Sequence, residues 1–383
     1  MNKRKKIAVV ANTTWNIYNF RMPLVRALEA QGHQVVVIAP LDEHIVYLNQ
    51  LRYTTHQPLK HLARKGRNPV SEIRLLFEFL KIFRREKPDL VINYTIKPNI
   101  YGNWASILRG IPSICVVTGL GYTFIHNGIT NEISRKLYRF SFRKATKVIF
   151  ENEDDCALFI KDEICTAEQA IAVKGCGVNT THFKPLAHKH THHEQKIFTF
   201  IGRLLYDKGV EEFVNAARLV KKEFPEAIFW IAGELDHDNP AAIPEEILSQ
   251  WIENQHVKYI GHVQDIRPVI QDSDIIVLPS YREGMPRVIL EALSMAKPVI
   301  TTETAGCRET VEEGKNGFLV PIKNIPELAE TMRECCRLSH ERLLAMGQCS
   351  REKALKEFDE QIIVNRFMEV INDVLGIKSR VEV

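Results

Sequence analysis

Pro279-Ser-Tyr-Arg-Glu-Gly-Met-Pro-Arg-Val-Ile-Leu-Glu-Ala-Leu-Ser-Met-Ala-Lys-Pro-Val-Ile-Thr-Thr302 is the stretch from which the fold of this chain is read. Just before it, Ile275-Ile-Val-Leu278 is a short, wholly apolar run of the kind that forms a strand buried on both faces. Pro298-Val-Ile300 reads as the next strand. Between them Val288, Ile289, Ala292, Leu293 and Ala296 recur at three- and four-residue spacing, which predicts a helix with one apolar face. Pro286 is expected in the first turn, where a missing N–H costs nothing, and Gly284 allows a sharp turn ahead of it. The helix start is an anion site in waiting, with free amides and the positive end of the helix dipole. Glu283 and Glu291 mark it, either as ligands or as ordinary surface carboxylates favoured near a helix start.

Working outward, Lys196-Ile-Phe-Thr-Phe-Ile201 reads as a strand running into Gly202-Arg-Leu-Leu-Tyr-Asp-Lys-Gly209, followed by a helix through Phe213, Ala216, Ala217 and Val220. Ala227–Ala232 and Val257–Ile260 add strands, so the C-terminal half is a doubly wound parallel sheet. Ligands of such sheets bind beyond the carboxyl ends of the strands. Arg203 and Lys208 fall there, and two cations near an open helix start suit a diphosphate.

The N-terminal half repeats the pattern. Strands are predicted at Lys5–Ala11, Gln34–Ala39, Leu90–Asn93, Ser113–Val117 and Lys147–Phe150, with helices between them. Three loops fall at strand ends: Asn12–Phe20, Tyr94–Tyr101 and Thr118-Gly-Leu-Gly-Tyr-Thr123. They are rich in Asn, Thr, Tyr and Gly, which suit a hydroxyl-bearing ligand. No Gly-x-Gly-x-x-Gly follows the first strand, so nothing supports a dinucleotide site there.

The 383 residues are too many for one ordinary core and imply two domains. Expected boundaries are 1–185, a linker over 186–195, a second domain over 196–357, and a C-terminal segment over 358–383. His188, His190, His192 and His193 lie in the linker; residue type alone permits metal binding, but they read as a solvated spacer. The eight cysteines are scattered without a Cys-x-x-Cys pair, as expected of reduced thiols in a cytoplasmic protein. No apolar run of about 18 residues crosses a membrane, and Met1-Asn-Lys-Arg-Lys-Lys reads as no secretion signal.

Net charge is +4, but residues 1–150 hold 24 Lys and Arg against 8 Asp and Glu. A basic half faces something anionic: nucleic acid, a membrane or a phosphorylated substrate. Two basic segments stand out, Ser71–Lys87 and Glu132–Lys144, the second with aromatics interleaved. Each can lie on an anionic membrane or simply pack an apolar face on the sheet.

Phe200-Ile-Gly-Arg-Leu-Leu-Tyr-Asp-Lys-Gly209, Gly233-Glu234, Gly261-His262 and Glu283-Gly-Met-Pro-Arg-Val-Ile-Leu-Glu-Ala292 resemble the retaining GT-B glycosyltransferases of family 4. Ala11-Asn-Thr-Thr-Trp-Asn-Ile-Tyr-Asn-Phe-Arg21, Thr95–Gly102 and Thr118–Gly121 are similar to the bacterial branch that extends undecaprenyl-diphosphate-linked glycans of surface polysaccharide or protein. The resemblance implies an α/β, GT-B architecture, two Rossmann-like domains facing a central cleft, with the chain after about Phe358 crossing back to the first. By the resemblance, Arg203 and Lys208 hold the donor diphosphate, Glu291 the ribose hydroxyls and Glu283 the donor sugar. Gly284 and Met285 offer amides, and Val263 and Ile266 line the base, most simply uracil. Arg203, Lys208 and Glu283 are the implied catalytic set. Asn16, Asn19, Arg21, Lys97, Thr118 and Gly119 are assigned to the acceptor. Many family members carry His-Gly where this chain has Thr118-Gly119.

With no Asp-x-Asp at a strand end, no metal or other cofactor is expected. The expected partners are a nucleotide sugar, an undecaprenyl-diphosphate-linked acceptor and the inner face of the cytoplasmic membrane, not nucleic acid. Two alternatives share the residues: a sugar-nucleotide 2-epimerase on a similar fold, and a nucleotide-sugar-binding protein without turnover.

Overall fold

The computed structural model describes residues 4–62, 69–120, 129–186, 195–237 and 239–377. Its compact units are two: residues 1–176 with 361–383, and residues 177–360.

The first unit is built on a seven-stranded, all-parallel sheet of order β3-β2-β1-β4-β5-β6-β7. The strands are β1 Lys6–Val10, β2 Gln34–Ala39, β3 Thr54–Pro58, β4 Leu90–Tyr94, β5 Ser113–Val117, β6 Lys147–Phe150 and β7 Ala170–Ala172. Strands β4 and β5 are buried at every residue because helices cover both faces, so Leu-Val-Ile-Asn-Tyr and Ser-Ile-Cys-Val-Val show no alternation of apolar and polar residues. One face packs on the helix Met22–Ala30 and on Glu360–Leu375, which inserts Ile363, Val364, Phe367 and Ile371. The other packs on Pro69–Glu86 through Leu75, Phe79, Ile82 and Phe83, and on Ile129–Phe142 through Tyr138 and Phe142.

The second unit holds a six-stranded parallel sheet of order β10-β9-β8-β11-β12-β13. Its strands are β8 Ile197–Ile201, β9 Ile228–Ala232, β10 Lys258–Gly261, β11 Ile275–Leu278, β12 Val299–Thr302 and β13 Gly317–Val320. The core stacks Phe198 on Phe229, ring centroids 5.2 Å apart, beneath the helix Val210–Val220.

The expected strands form, and three more join them. β3 (Thr-Thr-His-Gln-Pro) and β7 (Ala-Ile-Ala) lie at sheet edges, where a strand needs no apolar run. The expected loop Asn12–Phe20 contains a helix, Thr14–Phe20, because the Thr13 hydroxyl accepts the Asn16 amide at 3.0 Å and caps it. Pro286 is the cap of the helix Arg287–Ser294 rather than a residue of its first turn.

Residues 177–186 belong to the second unit. Val178 N–H donates to the Phe358 carbonyl at 2.8 Å, Phe183 is buried in the second core, and Arg351 donates to the carbonyls of Thr180 and Phe183. The four linker histidines lie outside the described residues, as do Gly121, Tyr122 and Thr123.

Candidate functional site

In the second sheet β8 lies between β9 and β11, so successive crossovers leave it in opposite directions. That reversal opens a crevice beyond the carboxyl ends of β8 and β11. Arg203 and Lys208 follow β8, and Glu283 follows β11. Backbone packing laces the two loops together. Gly209 has φ +72°, and a Cβ there would lie 2.1 Å from the Pro279 carbonyl oxygen. Tyr281 N–H and the Ser280 hydroxyl donate to the Asp207 carbonyl at 2.9 and 3.1 Å. A third segment closes on the site, since a Cβ on Gly306 would meet the Gly284 carbonyl oxygen at 2.3 Å.

The side chains are arranged as cation–carboxylate pairs. Lys208 Nζ lies 2.5 Å from Glu283 Oε1, with the two side chains 23% and 12% exposed. Arg203 Nη1 lies 2.7 Å from Asp236 Oδ2. Arg287 Nε donates to Glu291 Oε1 at 2.9 Å, one helical turn apart. Burial raises the Glu291 pKa above the ordinary carboxylate value, against the pull of Arg287. Gly284 and Met285 are buried at the helix start. Val263 and Ile266 follow β10, two strands away on the same carboxyl edge, and Ile266 packs on the core.

The structure therefore brings Arg203, Lys208 and Glu283 to one switch point, with Glu291 further along the helix that starts there. Sequence reasoning missed Asp236 and Gly306. Gly233-Glu234, two residues from Asp236, was visible as a motif, whereas the close approach of Gly306 is a tertiary fact with no local signal.

In the first unit the switch point lies between β1 and β4. Asn16, Asn19 and Arg21 follow β1, Lys97 follows β4, and Thr118 and Gly119 follow β5. Arg21, read as open to a ligand, is instead interior. It is 5% exposed, its Nη2 lies 3.2 Å from Glu151 Oε1, and its guanidinium sits 4.2 Å from the Tyr94 ring centroid. A buried cation demands such a partner, and Glu151 at the end of β6 supplies it. Lys97 Nζ lies 2.7 Å from Glu72 Oε1, and Asn19 Nδ2 donates to the Trp15 carbonyl at 3.0 Å. Asn16 Oδ1, the Tyr94 hydroxyl and Thr95 Oγ1 are buried without a hydrogen-bond partner. Thr95 also holds φ at +71°, a strained geometry for a β-branched residue of a kind that gathers at functional sites. Unsatisfied polar atoms and backbone strain thus coincide at the carboxyl edge of the sheet.

Residues 195–337 match the family described as glycosyl transferases group 1, and residues 6–152 match glycosyl transferase 4-like. The chain is 30% identical, over 97% of its length and 99% of the relative's, to the N,N'-diacetylbacillosaminyl-diphospho-undecaprenol alpha-1,3-N-acetylgalactosaminyltransferase of Campylobacter jejuni. It is 25% identical, over 80% of its length and 81% of the relative's, to an Escherichia coli UDP-Gal:alpha-D-GlcNAc-diphosphoundecaprenol alpha-1,3-galactosyltransferase. Among solved structures, Anabaena HepE in complex with UDP and glucose superposes with a TM-score of 0.79 at 19% identity, over 96% of this chain and all of the other. Two parallel-sheet units with this strand order are the GT-B fold. The chain belongs to the group 1, family-4-like glycosyltransferases, and it is an enzyme of glycosyl transfer.

Proposed function

We propose that this enzyme moves a hexose or N-acetylhexosamine, with retention at the anomeric carbon, from a UDP-sugar to a saccharide carried on undecaprenyl diphosphate. The product would serve a surface polysaccharide or a protein glycan. The observation that carries this reading is the Lys208–Glu283 pair at the β8/β11 switch point, beside the start of the helix Arg287–Ser294, with Arg203 just beyond the end of the same strand β8. The names of the Campylobacter and Escherichia relatives support the acceptor class, and the HepE complex supports the uracil base.

In the reaction the bond from the sugar's anomeric carbon to the donor phosphate breaks, placing negative charge on the diphosphate and positive charge on the ring. Arg203 and Lys208 take the first, a stabilisation of several kcal/mol when donors are fixed in advance. Glu283, held by Lys208, orients the sugar, and Glu291 accepts the ribose hydroxyls. Val263 and Ile266 flank the base. The acceptor hydroxyl attacks on the face the diphosphate leaves, and its proton passes to the departing phosphate oxygen. Asn16, Asn19, Thr118 and Gly119 lie at the acceptor edge of the first sheet. Arg21 and Lys97, already paired, set the geometry of that edge.

We also assign a membrane-facing surface to the first unit. No helix of the described residues is long and apolar enough to cross a membrane. Three helices, Pro69–Glu86, Asn103–Arg109 and Ile129–Phe142, pack on one face of the first sheet and on each other. Their outer surfaces expose Phe77 (65%), Leu108 (66%) and Phe140 (70%). Exposed Arg74, Lys81, Arg109, Lys136 and Arg139 stand among them. Apolar side chains amid cations suit a helix lying on an anionic bilayer.

The test is transfer from a panel of UDP-sugars to undecaprenyl-diphosphate-linked acceptors in anionic vesicles. Arg203→Ala should abolish transfer in a folded protein, and an unchanged rate refutes the diphosphate clamp. Conversion of the nucleotide sugar with no acceptor lipid present would identify an epimerase instead. Phe77→Ser with Phe140→Ser should release the enzyme from vesicles, and unaltered vesicle binding removes the membrane surface.

A further inference from the structure

Beyond the residues assigned above, one carboxylate at the donor edge has no role in the proposed chemistry: Asp236. Its position is built rather than incidental. The segment after β9 doubles back along the loop after β8 as a strap. Gly202 N–H donates to the Ala232 carbonyl at 3.0 Å, Leu204 N–H to Glu234 at 3.0 Å, Tyr206 N–H to Ala241 at 2.8 Å, and Ile243 N–H back to Leu204 at 3.0 Å. The strap starts where Gly233, at φ +153°, lies so close to the other loop that a Cβ would sit 1.8 Å from the Gly202 carbonyl oxygen. A turn in the strap, Asn239 N–H to the Asp236 carbonyl at 2.7 Å, fixes the backbone of Asp236 itself. The result is a carboxylate only 11% exposed, 2.7 Å from the guanidinium of an arginine that is 42% exposed.

We propose that Asp236 is a positioning residue that stands in for the donor diphosphate while the site is empty and gives Arg203 up when the donor binds. This rests on the reading that Arg203 holds a nucleoside diphosphate. In the empty site the half-exposed arginine is held by Asp236, and the donor must displace that contact to engage it. The exchange is feasible in both directions because a single partly exposed ion pair is weak, whereas a diphosphate offers a guanidinium two charged oxygens at once. After transfer the same carboxylate reclaims Arg203 and hastens departure of the nucleoside diphosphate. Asp236 therefore sets donor and product affinity without touching the sugar.

The experiment is calorimetric titration of the full chain with UDP. Asp236→Asn should tighten UDP binding about fivefold, the worth of one partly exposed ion pair. Inhibition by UDP should strengthen in parallel. Asp236→Glu keeps the charge and should bind UDP within about twofold of the unaltered protein. In an Arg203→Ala background the Asn substitution should change UDP affinity by less than about twofold, because its effect passes through Arg203. Unchanged or weaker UDP binding in folded Asp236→Asn overturns the proposal. So does an equal gain in the Arg203→Ala background, which would mark a general field effect. If Asp236→Asn does not fold, Asp236→Glu decides: UDP binding shifted more than about fivefold with the charge retained overturns the exchange. An unaltered protein that binds no UDP refutes the donor reading itself, whereas UDP binding indifferent to position 236 refutes this inference alone.

Discussion

Replacing Gly306 by alanine tests whether the donor site depends on backbone packing as well as on charge. Gly306 holds φ at +75°, and a Cβ there would stand 2.3 Å from the Gly284 carbonyl oxygen and 2.8 Å from the Glu283 carbonyl oxygen. Two costs add. Alanine in the left-handed region loses about 1–2 kcal/mol. The contact forces the 283–284 backbone to retreat, an overpacking term of about 1–3 kcal/mol. Gly314 is the internal control, with φ +69° and nothing within 4 Å of a built Cβ. Gly314→Ala should therefore lose only the first cost. Urea unfolding of both variants isolates the second term as the difference between them. Glu283 is carried on the displaced backbone and pairs with Lys208 at 2.5 Å. A shift of about 1 Å at a catalytic group costs about 100-fold in rate, so Gly306→Ala should lose transfer while Gly314→Ala keeps it. Equal losses of stability and equal retention of rate in the two variants would refute the packing argument.

Other expectations concern buried charge and strain. Burial raises the Glu291 pKa, so the folded state holds that proton more tightly than the unfolded chain; its contribution to stability is largest at low pH and is lost as pH rises through the folded value. Glu291→Gln removes this dependence, so the stability gap between the two proteins should widen with rising pH across that region in urea titrations. At neutral pH the same substitution should weaken UDP binding about tenfold, the worth of a hydrogen bond to a charged acceptor, and unchanged affinity would sever Glu291 from the ribose. Glu151→Ala strands the buried Arg21 and should cost about 3–5 kcal/mol in denaturant unfolding; a loss below about 1 kcal/mol means that water reaches the arginine. Thr95→Gly relieves the left-handed backbone at φ +71° and should stabilise by about 1 kcal/mol while reducing transfer. A variant both more stable and fully active would show that the strain serves nothing.

The frame of both units was legible because buried parallel strands announce themselves as short apolar runs, Ile275–Leu278 and Leu90–Asn93 among them. Edge strands escaped, since Thr54–Pro58 is stabilised by its neighbour β2 rather than by its own composition. Arg203, Lys208 and Glu283 could be named in advance because spacing from a strand end fixes which edge a side chain reaches. Arg21 could not be read correctly, because its partner Glu151 lies 130 residues away and only the sheet order brings β6 near. The same holds for the grouping of Asp236 with Arg203. Charge in the first unit was visible as a count, but only the folded helices sort it into an outward face.

The first unit is discontinuous: its sheet is complete by residue 172, yet the helix Glu360–Leu375 that covers one face is synthesised only after the second unit. Until then Ile7, Val9, Val37 and Ile92 lack part of their apolar cover. The second unit, encoded later but uninterrupted, can finish its core first. Order of synthesis and order of completion are thus reversed, and the nascent first unit carries an unclosed apolar surface while the whole second unit is still being made. A stop codon after residue 360 should leave the second unit resistant to protease and the first one digestible.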